Sequence, residues 1–147
     1  PPRDVGELSP GRHMTPSAAI DTHAAIWYLN ADHRLSDRAK RFIEASAQDG
    51  LSVLVSPIAL VEVIYLCEKG RLPWGALIRL ETALRVGNTV LCVADLTLEV
   101  ALAVGRVLRD EVPDTPDRII TATAMYFGVP VISRDGQIQT SSVSTIR

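Results

Sequence analysis

From Ser17 onward the chain alternates short, nearly unbroken apolar runs with longer stretches whose apolar residues recur every three or four positions. The runs are Ala18-Ala19-Ile20, Leu51 to Val55, Thr89 to Val93 and Val129 to Ser133, with a further short one at Val143 to Arg147. Each is too short for an ordinary helix and predicts a strand buried on both faces. Between the first two runs, one helix is predicted from His23 to Leu29 and another from Ser36 to Gln48. In the second, Ala39, Phe42, Ile43 and Ser46 share a face, with Arg38, Lys40 and Arg41 outside it. Ser56-Pro57 joins an N-cap to a proline suited to a first helical position, and that helix runs to Lys69, stopping at Gly70. Helices over Pro73 to Val86, Thr97 to Asp110 and Pro116 to Phe127 complete the set. The last takes Thr115 as N-cap and ends at Gly128.

Strands alternating with helices in this way predict an α/β fold: a three-layer α/β/α domain around a central parallel sheet of four to five strands. The domain is expected over residues 16–147. Residues 1–15, rich in Pro and Gly and without periodicity, read as a disordered arm or a remnant of expression. A composition of 47% hydrophobic residues suffices for a sizeable core. No apolar stretch approaches the ~20 residues that cross a bilayer, and Pro1 to Ser17 lacks the apolar centre of a secretory signal. A cytoplasmic location without membrane attachment is therefore expected. Cys67 and Cys92 lie in apolar surroundings and read as buried, reduced thiols. None of His13, His23 and His33 pairs with a cysteine or another histidine at ligand spacing, which argues against zinc.

In open parallel sheets, ligands bind beyond the carboxyl ends of the strands, so acids at those ends bear on function. Asp21 directly follows the first strand, where it serves equally as a helix N-cap. Glu62 lies within Ile58 to Cys67, a segment apolar on every side, so its helix is expected to be largely buried. A buried carboxylate needs a partner or a metal, unless it occupies a solvent stripe or meets a buried arginine. Asp117 falls in the first turn of its helix, where the helix dipole alone would favour an anion, yet Asp114 crowds the same turn. Asp135 closes the fourth run in an Asp-Gly turn dipeptide. Clustered carboxylates do not stay ionised together without a counter-charge, and magnesium or manganese supplies it with the oxygen ligands these cations prefer. Such a site suits phosphodiester hydrolysis. The net charge of −2 argues against a dedicated nucleic-acid surface, although a nuclease that grips its substrate through metal ions need not be basic. Trp27, Tyr28, Tyr65, Trp74 and Phe127 stand at helical spacing beside apolar neighbours and are expected in the core.

Four segments together resemble the PIN-domain ribonucleases, specifically the VapC-type toxins of type II toxin–antitoxin pairs. They are Ile20-Asp21-Thr22-His23 with Ile26-Trp27; Ser56-Pro57-Ile58 through Val61-Glu62-Val63; Asp114-Thr115-Pro116-Asp117-Arg118-Ile119-Ile120 with Ala122-Thr123-Ala124; and Val131-Ile132-Ser133-Arg134-Asp135. The resemblance runs from about Ala18 to the C-terminus. It implies a magnesium- or manganese-dependent endoribonuclease, an antitoxin that blocks the acidic groove, an RNA substrate and commonly a homodimer. By the same resemblance Asp21, Glu62, Asp117 and Asp135 are the metal-site acids, with Asp21 and Asp117 direct ligands and Glu62 and Asp135 acting through water. Thr22, Ser133, Asp114 and Arg118 are candidates around them. Arg118 and Arg134 flank two of the acids, where each suits either a phosphate or a salt bridge. The family's usual Asp-Pro-x-Asp is here Asp114-Thr115-Pro116-Asp117, which leaves the role of Asp114 open. Two other functions stay open: a PIN-domain RNA-processing nuclease without an antitoxin, and a non-catalytic binding module of the same fold.

Overall fold

The apolar runs pair side by side in a five-stranded, wholly parallel sheet of order β3-β2-β1-β4-β5. The structure is a computed structural model that describes residues 15–135, 138 and 143–147. The N-terminal arm expected from the sequence lies outside the described residues, apart from Thr15. The strands are β1 (Pro16–Ile20), β2 (Ser52–Val55), β3 (Leu91–Val93), β4 (Val131–Ile132) and β5 (Thr145–Ile146). The helices are α1 (Thr22–Leu29), α2 (Asp37–Gln48), α3 (Pro57–Glu68), α4 (Trp74–Val86), α5 (Leu98–Ala103) and α6 (Thr115–Phe127).

Successive side chains of a strand point to opposite faces, and the core divides accordingly. Ala18, Ile20, Val53, Val55 and Ile132 join one cluster with Ile26, Ile43, Val63 and Leu80 of the first four helices. Ala19, Leu54, Cys92 and Val131 join the other, with Ala103, Ile120, Ala122 and Ala124 of α5 and α6. These are the three layers predicted. Complete burial of an aliphatic side chain such as Ile20, Leu54 or Val63 stabilises the fold by roughly 1.5–3 kcal/mol each.

Local signals set most boundaries. Ser36 and Ser56 cap α2 and α3, accepting from the Ala39 and Ile58 amides. Gly128, at φ +68°, takes the left-handed conformation that ends α6.

Three expectations need correction. The helix expected from Thr97 to Asp110 stops at Ala103 and tightens into a 3-10 turn over Val104–Arg106. The Val104 carbonyl accepts from Val107 N and from Arg118 Nη2, and the Val107 carbonyl accepts from the same guanidinium nitrogen. Those bonds replace the ladder a longer helix would need. Secondly, α6 begins one residue early: Asp114 is at the cap position and its side chain makes no capping bond, whereas Thr115 is already helical. Thirdly, α3 is not largely buried. Only Ala59, Val63 and Cys67 are, while Val61 and Tyr65 are 40% and 58% exposed, because only one face packs into the core.

Both cysteines are buried free thiols, as expected. Among the described residues no helix is long and apolar enough to cross a membrane.

Candidate active site

The strand order makes one place on the sheet distinctive. From β1 the chain moves outward through β2 to β3, then crosses to β4 and β5 on the other side of β1. A crevice opens at such a reversal, beyond the carboxyl ends of the two adjoining strands. Those strands are β1 and β4. Asp21 directly follows β1, and Asp135 lies three residues beyond the last residue of β4.

A cavity of about 370 Å³ occupies this position, and Asp21, Glu62, Asp117 and Asp135 all line it. Four separate elements deliver them: the end of β1, the middle of α3, the first turn of α6 and the loop after β4. Asp21 is 8% exposed and held from two directions. Its Oδ1 accepts from the Ala24 amide at 2.8 Å, so it is the N-cap of α1. Its Oδ2 accepts a short hydrogen bond from Ser133 Oγ. Ser133 in turn accepts from the Asp135 amide at 2.9 Å, and Asp135 Oδ1 accepts from the Ile138 amide at 3.1 Å. Thr22 donates to Glu62 Oε1 at 2.6 Å, tying α3 to the start of α1. The capping role expected for Asp21 is therefore real, and Asp135 likewise accepts from a backbone amide, while the Asp-Gly turn expected there runs outside the described residues. Neither role removes the carboxylate from the cavity.

Burial pushes the Asp21 carboxyl above its ordinary range, and Asp135 adds repulsion, against the lowering effects of Ser133, Ala24 and His23. Asp117 is pushed up to about 7, first by burial and then by the charges of Asp135, Asp114, Glu62 and Asp21. Burial first, and the neighbouring acids after it, thus favour a proton on Asp117 that a lone aspartate in water would lose. A cation would relieve this. The four acids and Thr22 offer carboxylate and hydroxyl oxygen, the chemistry of a hard divalent ion, and His23 adds a ring nitrogen on the same wall. Among the described residues no three acid, histidine or cysteine side chains converge as a preformed coordination shell.

A sequence profile of the PIN domain matches residues 18–140. The chain belongs to the PIN-domain family. Its fold also resembles solved structures. One is the crystal structure of VapBC2 from Rickettsia felis bound to a DNA fragment from their promoter, at 15% identity and a TM-score of 0.64, covering 88% of this chain and 96% of the other. Another is a toxin–antitoxin complex from Klebsiella pneumoniae, at 22% identity and a TM-score of 0.57, covering 89% and 97%. A comparison with curated protein sequences returns no match.

Not every candidate residue of this PIN domain reaches the cavity. Thr22 lines it, and Ser133 supports it through Asp21. Asp114 is exposed at the head of α6 and acts on Asp117 only through its charge. Arg118 points away, its Nη2 donating to the Val104 and Val107 carbonyls at 3.0 and 2.9 Å. There it anchors the turn after α5 and makes no salt bridge to the acids among the described residues. Arg134 does line the cavity, with Nη1 donating to the Arg34 carbonyl at 2.8 Å.

Two lining residues were not among the expected site residues, although both stand in the first resembling segment and Trp27 was expected in the core. His23 and Trp27 stand one turn apart on α1, ring centroids 6.0 Å apart, and both face the acids. Trp27 is only partly buried, so its expected core role is half right. Tyr65 and Trp74 are more than half exposed and are not core residues. The available signal was the helical spacing of His23 and Trp27 directly after Asp21.

Proposed function

We propose that this PIN domain is the toxin endoribonuclease of a type II toxin–antitoxin pair, hydrolysing RNA phosphodiester bonds with divalent metal held by its acids. The observation that carries the reading is the convergence of four acids from four elements on one cavity at the reversal point of the sheet. Family membership supports nuclease chemistry, and the toxin–antitoxin neighbours support an antitoxin partner.

Asp21 and Asp117 would hold the cation directly, and Glu62 and Asp135 through water. A bound magnesium or manganese ion supplies Lewis acidity, making a nucleophile of water near neutral pH and stabilising the leaving oxygen. The protein's own contribution is positioning. Ser133 and the Ala24 amide fix both oxygens of Asp21, so its carboxylate is oriented before substrate arrives. Thr22 holds Glu62 in the same way. Arg134, on the cavity wall, offers a positive group to a phosphate oxygen in an otherwise acidic site.

Incubation of the purified protein with a mixed RNA pool tests this. Cleavage is expected with magnesium or manganese and is lost in excess EDTA. Equal cleavage in EDTA, or none with either cation, would sink the reading.

We also propose that the protein is a homodimer. Apolar residues stand exposed in pairs one turn apart: Val61 and Tyr65 on α3, Trp74 and Ile78 on α4, Leu98 and Leu102 on α5. Stripes of this kind mark surfaces that a partner covers. Sedimentation velocity at micromolar concentration is expected to give a dimer, and replacing both Leu98 and Leu102 with Glu to give a monomer. A monomeric wild-type protein contradicts the proposal.

A further inference from the structure

Beside the acid cavity lies a second one of about 540 Å³, and the two share His23, Trp27 and Glu62. Its far side is the connection between α3 and α4, where Arg71 and Leu72 lie. The lining combines three kinds of group. Ile26, Leu66 and Leu72 are apolar, and Trp27 adds an aromatic surface. Arg71 is exposed, and among the described residues its guanidinium has no hydrogen bond or carboxylate partner. Asn30 offers an amide whose oxygen accepts from Arg79 at 2.8 Å, which orients its nitrogen as a donor. Arg34, by contrast, is committed. It makes a forked bond with Asp32, its Nη2 2.6 Å from Oδ2, and its guanidinium carbon lies 5.5 Å from the Trp27 ring centre. This arrangement holds the tryptophan in place.

An aromatic plane, an amide donor and an uncommitted arginine, one step from acids suited to phosphodiester chemistry, match the parts of a nucleotide. Bases of any identity stack on aromatic side chains, and a guanidinium pairs with phosphate. We infer that this second cavity is a nucleotide subsite, in which Trp27 stacks the base next to the cleaved bond and Arg71 contacts its phosphate. The subsite rests on the nuclease reading above. It also accounts for how an acidic protein grips RNA: the grip is local, beside the acids, rather than spread over a basic surface.

The chain has two tryptophans, so Trp74→Phe leaves Trp27 as the sole reporter. In a protein that also carries Asp117→Asn, to prevent cleavage, a mixed-sequence single-stranded RNA decamer with magnesium is expected to quench Trp27 fluorescence saturably. Adding Arg71→Ala should raise the Kd about tenfold and reduce its salt dependence by about one charge. In cleavage assays, Trp27→Leu should lower kcat/KM on the decamer by about 10- to 100-fold, and Trp27→Phe, which keeps a stacking ring, should recover much of it. Circular dichroism checks that each variant folds. A Trp27→Leu protein that cleaves the decamer at the wild-type rate overturns the subsite but not the nuclease, and leaves the cavity to a protein partner. A wild-type protein that cleaves neither RNA nor bis(4-nitrophenyl) phosphate overturns the nuclease reading and the subsite with it.

Discussion

Asp21→Asn and Asp117→Asn are each expected to abolish metal-dependent RNA cleavage while leaving the fold intact. The Asp21 case separates charge from structure. As the N-cap of α1, Asp21 needs only an oxygen to accept from the Ala24 amide, and asparagine caps as well as aspartate does. The position of Oδ2, which accepts from Ser133, becomes an NH2 group, so the Ser133 hydroxyl must turn and accept there instead. What the substitution removes is the negative charge and one metal-binding oxygen. Loss of activity should therefore exceed the roughly 10- to 100-fold that losing an outer partner of a metal ligand costs, which is the effect expected for Ser133→Ala. Asp117 has no side-chain hydrogen bond among those described, so its loss is electrostatic almost entirely. Cleavage assays with magnesium in excess, alongside circular dichroism, measure both effects. A fully active Asp21→Asn or Asp117→Asn protein would remove the acid cluster from the chemistry.

In EDTA, Asp117→Asn is expected to stabilise the protein at pH 8 by about 2 kcal/mol, and hardly at all at pH 4. In the folded protein the Asp117 carboxyl is raised from 3.8 to about 7, so between those values the native state holds a proton that the unfolded chain has released. Where the native state binds more protons, stability falls as pH rises. The contribution of the protonated form is fully present below about pH 4 and is lost by about pH 7. Three pH units correspond to ~4 kcal/mol at 1.36 kcal/mol per unit, and access of solvent to this half-buried group roughly halves that figure. Asp21 is shifted in the same direction. Magnesium at neutral pH should restore the lost stability in the wild type and do so less in the variant. Urea denaturation at pH 4 to 8, with and without magnesium, reads all of these. A wild-type protein and an Asp117→Asn variant with parallel pH profiles would show that neither burial nor the neighbouring acids raise the Asp117 carboxyl.

The order of strands and helices was readable because its signals are local. Ala18 to Ile20 and Leu51 to Val55 carry no polar residue that could face water except Ser52, so they had to be interior strands. Ser56-Pro57 and Gly128 marked a helix start and a helix stop for reasons contained within a few residues. The candidate acids were readable for a similar reason: strand ends and helix starts are recognisable, and Asp21, Asp117 and Asp135 occupy such positions. Glu62 was picked out on a mistaken premise. Its helix is apolar all round in sequence but buried on one face only, so the residue is not a carboxylate sealed in the core. It belongs to the cluster because α3 turns that position toward the start of α1, where Thr22 meets it.

By itself, then, the sequence determined the alternation of strand and helix, the parallel sheet and most of the element boundaries. Each depends on propensity, capping or periodicity within about four residues along the chain. Only the tertiary structure decided that four acids share one cavity, because residues as distant in sequence as Asp21 and Asp135 meet where β1 and β4 pair. It decided that Arg118 secures the turn after α5 rather than the acids, since that guanidinium answers carbonyls more than ten residues away. It decided, too, that Trp27 faces a cavity as well as the core. Apolar spacing places a ring on one side of a helix, but what stands opposite that side depends on how distant segments pack.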